Sequence, residues 1–178
     1  DSQVFLEIKT KDQEGVGRKF RLLSTPISIL NFMTKGHLDA SITDTVVIEK
    51  VKKFHQDYKQ AIKPRMYIYY DRYSLKEKKY IEGYDYNKIR ITIDQNLIYR
   101  DENVSLFAGN QGAPLLDDNT VIMEIKAPGN KPQWLQDILD KYGLMEHKFS
   151  KYSCAYHKSQ GLPYAPRPSI ESAGTAYA

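Results

Sequence analysis

The stretch Val121-Ile122-Met123-Glu124-Ile125-Lys126 decides how this chain is read. It alternates, as a strand does when one face packs and the other meets something else. Val121, Met123 and Ile125 share one face, and Ile122, Glu124 and Lys126 share its opposite. The same pattern stands near the start, where Val4, Leu6 and Ile8 oppose Phe5, Glu7 and Lys9. A carboxylate and an ammonium on one strand face suit a solvated surface. They also suit a divalent cation held beside an anionic ligand, and the remaining strands weigh between the two.

The clearest of those lies upstream, where Lys88, Arg90, Thr92 and Asp94 alternate with Ile89, Ile91 and Ile93. The isoleucine face is expected to pack on a core and the polar face to present charge elsewhere. Leu97 to Arg100 is expected to continue this strand after a turn. Arg65 to Tyr73 is an aromatic-rich strand in which Tyr70 and Arg72 share a face with Met66 and Ile68. At the start, residues 3–10 and Arg18 to Leu23 form a hairpin across a polar turn, and Lys19 and Arg21 share a face on its second strand.

Helices punctuate these strands. Ser24-Thr25-Pro26 supplies a capping hydroxyl and a first-turn proline for a helix that Gly36 closes. A second begins after Thr43 or Asp44, carries Val46, Val47, Val51, Phe54 and Tyr58 at helical spacing, and ends by Pro64. His55 on it reads as surface or packing. Pro132 opens a third that Gly143 stops, and Phe149-Ser150 caps a last one over Lys151 to Lys158. Ser74 to Tyr86 and residues 101–120 read as loops. The expected organisation is one domain over residues 1–158, followed by a disordered proline-containing tail over 159–178.

At 178 residues with 41% apolar content, one domain with a real core is the expectation. The net charge of +4 favours anionic partners without naming one. The single cysteine, Cys154, cannot form an internal disulfide and fits a reducing, cytoplasmic compartment. No run approaches a membrane span. The chain enters a strand almost at its first residue, as a fragment of a larger sheet would.

Basic residues recur with period two on one face of strand after strand: Lys9, Lys19 with Arg21, Arg72, Lys88 with Arg90, and Lys126. Lys148 and Lys151 follow. In one sheet such cations repel unless something anionic lies between them. An antiparallel sheet curled into a barrel would put them inside, around a long polyanion. Phosphate oxygens suit this, because Arg binds them bidentately and Lys as a point charge. Glu124, with Glu7, would then be the minority charges that hold Mg²⁺ or Mn²⁺ through oxygen. The sequence has no GxxxxGK[ST] or GxGxxG loop and no Cys/His metal spacing, so phosphate handling would rest on positioning and electrostatics.

The succession VFLEIK, a basic strand, a helical insertion, YYDRYS, IRITID, MEIKAPGNKPQWL and HKFSKYS resembles the VTC domain, from residue 3 to about residue 158. That domain is a polyphosphate-polymerase type within the CYTH, or triphosphate tunnel metalloenzyme, superfamily. The resemblance implies an α+β fold: an antiparallel β-barrel, the triphosphate tunnel, with flanking helices. It also implies a metal-dependent phosphotransferase that moves the terminal phosphate of ATP onto polyphosphate, with ATP and polyphosphate or pyrophosphate as partners. By position, Lys9, Lys19, Arg21, Tyr70, Lys88, Lys148 and Lys151 look like substrate contacts. Arg72, Arg90 and Lys126 look catalytic, and Glu124 looks like the metal-binding glutamate. The family's first basic strands do not appear, so the barrel is expected to be incomplete, and its exposed edges favour a homodimer. A truncated domain, a tunnel completed by another chain and an open sheet without turnover all remain open. A triphosphate or polyphosphate hydrolase would use the same residues, and a non-catalytic polyphosphate-binding module is a third reading. Nucleic-acid binding is disfavoured, because the cations alternate with aliphatics and the only aromatic platform is Tyr67, Tyr69 and Tyr73.

Overall fold

The structure is a computed structural model that describes residues 3–11, 17–40, 42–58, 63–76, 89–127 and 130–168. It comprises two compact units, Asp1–Lys63 and Pro64–Ala178.

In the first unit, β1 (Val4–Lys11) pairs antiparallel with β2 (Gly17–Ser24), with Glu7 opposite Arg21 and Lys9 opposite Lys19. The alternation predicted for both strands sends Leu6, Ile8, Phe20 and Leu22 to the apolar side. There they meet Phe32 of α1 (Pro26–Lys35) and Val47 and Val51 of α2 (Thr45–Asp57). Thr25 Oγ1 accepts from the Ser28 N–H at 3.3 Å, and Asp44 Oδ1 accepts from the Val47 N–H at 3.0 Å, so both expected caps are in place. Gly36 ends α1 in the left-handed region with φ 71°, and a Cβ there would lie 2.8 Å from the His55 ring. Glycine thus lets α1 stop against α2. The His55 ring stands 5.6 Å from that of Phe32, which makes it a packing residue.

In the second unit, β4 (Arg90–Arg100) is central. β3 (Tyr67–Lys76) lines one of its edges, and β5 (Ala113–Pro114) and β6 (Ile122–Lys126) line the other. The isoleucine side of β4 packs as expected at one end: Ile89 and Ile91, with Ile125, meet Leu135 and Leu139 of α3 (Gln133–Lys141). The polar side differs from expectation. It is covered in part by α4 (Lys151–Ser159), whose Cys154 and Ala155 pack with Leu97, Leu115, Ile68 and Tyr70. Asp94 is fully buried and Thr92 nearly so, while Ile93 is only half-buried. A polar face can be buried this way because cationic side chains reach across to its carboxylate.

β4 also runs through the position where a turn was expected. Asn96 adopts a left-handed conformation, φ 53°, and the register slips so that Tyr69 faces Ile98 while Asp71 faces Gln95. This is a β-bulge, and it places Leu97 and Tyr99 on the same side as Asp94. The bulge is fastened by Asp71, which accepts from Asn96 Nδ2 at 2.8 Å and from Tyr69 Oη at 2.9 Å.

The loop after β4 is built around Arg100. Its guanidinium donates to the carbonyls of Asn103, Ser105, Gly109 and Gln111 at 2.6–2.9 Å, and lies 3.6 Å over the Tyr67 ring. Gly112 then brings β5 against β4, since a Cβ there would sit 2.5 Å from the Tyr99 carbonyl oxygen.

Beyond α4 the chain returns. β7 (His147–Lys148) pairs with β8 (Arg167–Pro168), and Tyr164 Oη accepts from the Ser150 N–H at 2.9 Å. The first part of the segment expected as a tail is therefore placed against the start of α4, and residues 169–178 lie outside the described residues. The architecture is mixed α+β. Among the described residues the strands form three separate antiparallel sheets and no closed barrel.

Candidate functional site

The β3–β4–β6 register sets the site. Arg72 lies opposite Asp94, which in turn lies opposite Ile122; Thr92 lies opposite Ser74 and Glu124; Arg90 lies opposite Lys76 and Lys126. Directly opposite residues share a face, so one side of this sheet carries Arg72, Arg90, Thr92, Asp94, Glu124 and Lys126 together. Tyr70 joins them from the bulge, and Lys151 from the first turn of α4. Ser150 caps that helix, its Oγ accepting from the Ser153 N–H at 3.2 Å, which fixes where Lys151 begins.

The side chains form one network. Arg72 donates through Nε and Nη2 to the two oxygens of Asp94 at 2.6 and 2.7 Å, and Lys151 Nζ reaches Asp94 Oδ2 at 2.6 Å. Arg72 Nη2 also lies 4.0 Å from Glu124 Oε2, and Lys126 Nζ lies 2.9 Å from Glu124 Oε1. The Arg72 guanidinium and the Lys151 ammonium both stand over the Tyr70 ring, at 5.0 and 4.7 Å from its centre. Three cations (Arg72, Lys126, Lys151) thus meet two carboxylates (Asp94, Glu124), which leaves one net positive charge. Arg90, exposed at the same end as Lys126, adds another.

This charge pattern shifts ionisation. Burial alone would raise the Asp94 carboxyl, but hydrogen bonds from Arg72 and Lys151 outweigh it and hold the group below the ordinary range. The Lys126 hydrogen bond lowers Glu124 against a smaller opposing effect of burial, and the charges of Lys126, Lys151 and Arg72 add to the lowering. The Arg72 guanidinium is held still more firmly protonated, chiefly by its hydrogen bond to Asp94. One polar group is left over: Thr92 Oγ1 is buried without a hydrogen-bond partner, the single such side-chain atom among the described residues.

Among the described residues, none of the other expected site residues is given a contact within this network. Glu7, Lys19 and Arg21 belong to the first unit, where Glu7 Oε1 accepts from Arg21 Nε at 2.7 Å and from Lys19 Nζ at 3.3 Å. Burial resists the lowering of the Glu7 carboxyl, and these two cations overcome it. Glu7 is therefore engaged as the counter-ion of the basic pair, with Arg21 also stacked 4.4 Å over Phe5. Lys9 is exposed opposite Lys19. Lys148 is exposed in β7 opposite Arg167, and Lys88 lies outside the described residues.

Sequence reading placed Asp94 on the polar face without a role. The available signal was its being the lone acid in a run of cations. Arg100, which donates to backbone carbonyls and lies over the Tyr67 ring, left no signal of this kind.

Among the described residues no group of three or more His, Cys, Asp or Glu side chains could hold a metal by itself. A hard cation here would take Glu124 together with oxygens of an anionic ligand, which is the usual manner of Mg²⁺. Among the described residues no helix is long and apolar enough to cross a membrane.

Such a site, on one face of an antiparallel sheet with cations in excess and an accessible glutamate, suits an anionic ligand. The family model of the VTC domain matches residues 1–159, and the chain belongs to that family. No curated protein and no solved structure matches it.

Proposed function

We propose that this chain is a polyphosphate-synthesising phosphotransferase that moves the terminal phosphate of ATP onto a polyphosphate chain. The observation that supports this reading best is the convergence of Arg72, Glu124, Lys126 and Lys151 on one sheet face, in a VTC-family chain. In the transfer, the bond between the β,γ-bridging oxygen and the γ-phosphorus breaks, and a terminal polyphosphate oxygen bonds to that phosphorus as ADP leaves. The acceptor phosphate oxygen is the nucleophile, so the chain's part is positioning and charge stabilisation, which dominate phosphoryl transfer. Arg72 has donors left beyond those given to Asp94 and can fork onto two phosphate oxygens. Lys151 and Tyr70 flank it, and Lys126 and Arg90 continue the cationic path along β6 and β4. Glu124 would hold Mn²⁺ or Mg²⁺, which neutralises charge on the phosphates when bound. Lys9, Lys19 and Arg21 of the first unit, and Lys88 and Lys148 of the second, would be further substrate contacts.

A hydrolase of triphosphate or polyphosphate would use the same groups with water as acceptor. A binding module would use them without turnover. Incubation with ATP and Mn²⁺, followed by ³¹P NMR, separates the readings. Internal polyphosphate resonances are expected. Free phosphate alone would indicate the hydrolase, and neither product, with polyphosphate still bound, would indicate the binding module.

A further inference from the structure

We infer that Asp94 is a positioning residue that aims Arg72 and Lys151 at one shared phosphate group. The inference rests on the function proposed above and adds to it a group that never meets the substrate. Asp94 has no exposed surface, yet three hydrogen bonds from two different elements end on it, at 2.6, 2.7 and 2.6 Å. The side chains that donate them remain open to solvent, Arg72 at 36% and Lys151 at 20%. An incoming anion therefore meets the two cations, while their carboxylate stays beneath. Two of the five guanidinium donors and one of the three ammonium donors suffice for Asp94, so each cation keeps donors for a ligand.

Both cations also stand over Tyr70, within 5.0 Å of the ring centre, so the carboxylate and the ring fix them from two directions. Long cationic side chains held in this way lose less freedom on binding than free ones. Glu124 shows the contrast. It is 41% exposed, pairs with Lys126 at the surface and is open to a ligand.

A plain counter-ion and a positioning residue predict opposite signs. Removing a counter-ion leaves the site more positive and tightens anion binding. Removing a positioning residue lets Arg72 and Lys151 swing and loosens it. The test titrates inorganic tripolyphosphate calorimetrically into the full chain, comparing wild type, Asp94→Asn, Asp94→Glu, Arg72→Met and the Asp94→Asn/Arg72→Met double variant. Asp94→Asn is expected to weaken binding about tenfold, a coupling typical of residues in direct contact. Asp94→Glu should recover part of the loss, and Asp94→Asn should cost little once Arg72 is Met. Equal or tighter binding by Asp94→Asn, or an undiminished penalty in the Arg72→Met background, would overturn the inference. If Asp94→Asn does not fold alone, Asp94→Asn/Lys151→Met is compared with Lys151→Met. A further loss supports positioning and equal affinity overturns it. A wild type that does not bind tripolyphosphate removes the proposed function and this inference with it. A wild type that binds beside an unaffected Asp94→Asn removes the inference alone.

Discussion

Arg72 on β3 grips both carboxylate oxygens of Asp94 on β4, at 2.6 and 2.7 Å, and Lys151 reaches the same carboxylate from α4 at 2.6 Å. One buried anion therefore joins two strands and a helix. Its ionisation should be visible in stability. Burial would raise the Asp94 carboxyl, the hydrogen bonds from Arg72 and Lys151 outweigh burial, and the folded-state value is depressed. Below the unfolded value of about 3.9 the unfolded chain binds more protons, so stability is full above that value and falls as pH drops through the folded one. Glu124 and Glu7 act in the same direction. Urea midpoints should be nearly constant from about pH 7 to about pH 5 and decline below about pH 4. Asp94→Asn should flatten the decline, and an unchanged slope would contradict this assignment.

Loss of the carboxylate should also cost stability at neutral pH. Asp94→Ala leaves Arg72 and Lys151 without their shared partner, and about 3 kcal/mol is expected, the low end for a broken buried pair because both cations reach water. Lys53→Ala, which removes an exposed helical pair with Asp57 at 3.2 Å, should cost no more than about 0.5 kcal/mol. Comparable losses from the two changes, measured by urea unfolding, would refute the difference in burial as the cause.

Thr92 offers the reverse case. Its hydroxyl is buried without a partner, and valine has the same shape without the polar atom. Thr92→Val should raise stability by about 1 kcal/mol, the relief of an unsatisfied group. A lower melting temperature would mean that the hydroxyl is satisfied in solution.

Glu124→Gln keeps the side chain's shape and removes the charge proposed to hold a divalent cation. The variant should melt within a degree or two of wild type, since its 41%-exposed pair with Lys126 contributes little. Metal-dependent turnover should disappear. Activity equal to wild type at saturating Mn²⁺ would refute the role given to Glu124.

The faces of the strands were legible because period-two alternation is a local property. Glu124 with Lys126, Arg72 with Tyr70, and Arg90 with Asp94 were all assigned to the sides they occupy. The caps Thr25, Asp44 and Ser150 were legible for the same reason. Burial was not, because it depends on what packs above. The polar side chains of β4 include the buried Asp94, because α4, distant in sequence, packs over them and supplies Lys151. Nor was the bulge at Asn96, where a single left-handed residue replaces the expected turn and keeps Leu97 on the side of Asp94. Arg100 donates to carbonyls of its own loop, and nothing in the side-chain pattern marks such hydrogen bonds.

The most direct test of the account is to map polyphosphate binding on the uniformly ¹⁵N-labelled chain by amide chemical shifts. The largest changes are expected, within the β3–β4–β6 sheet and α4, at Arg72, Thr92, Asp94, Glu124, Lys126 and Lys151. Ile93 and Met123, on the opposite face, should move little. Changes confined to that opposite face or to α3, or no changes at all, would contradict it.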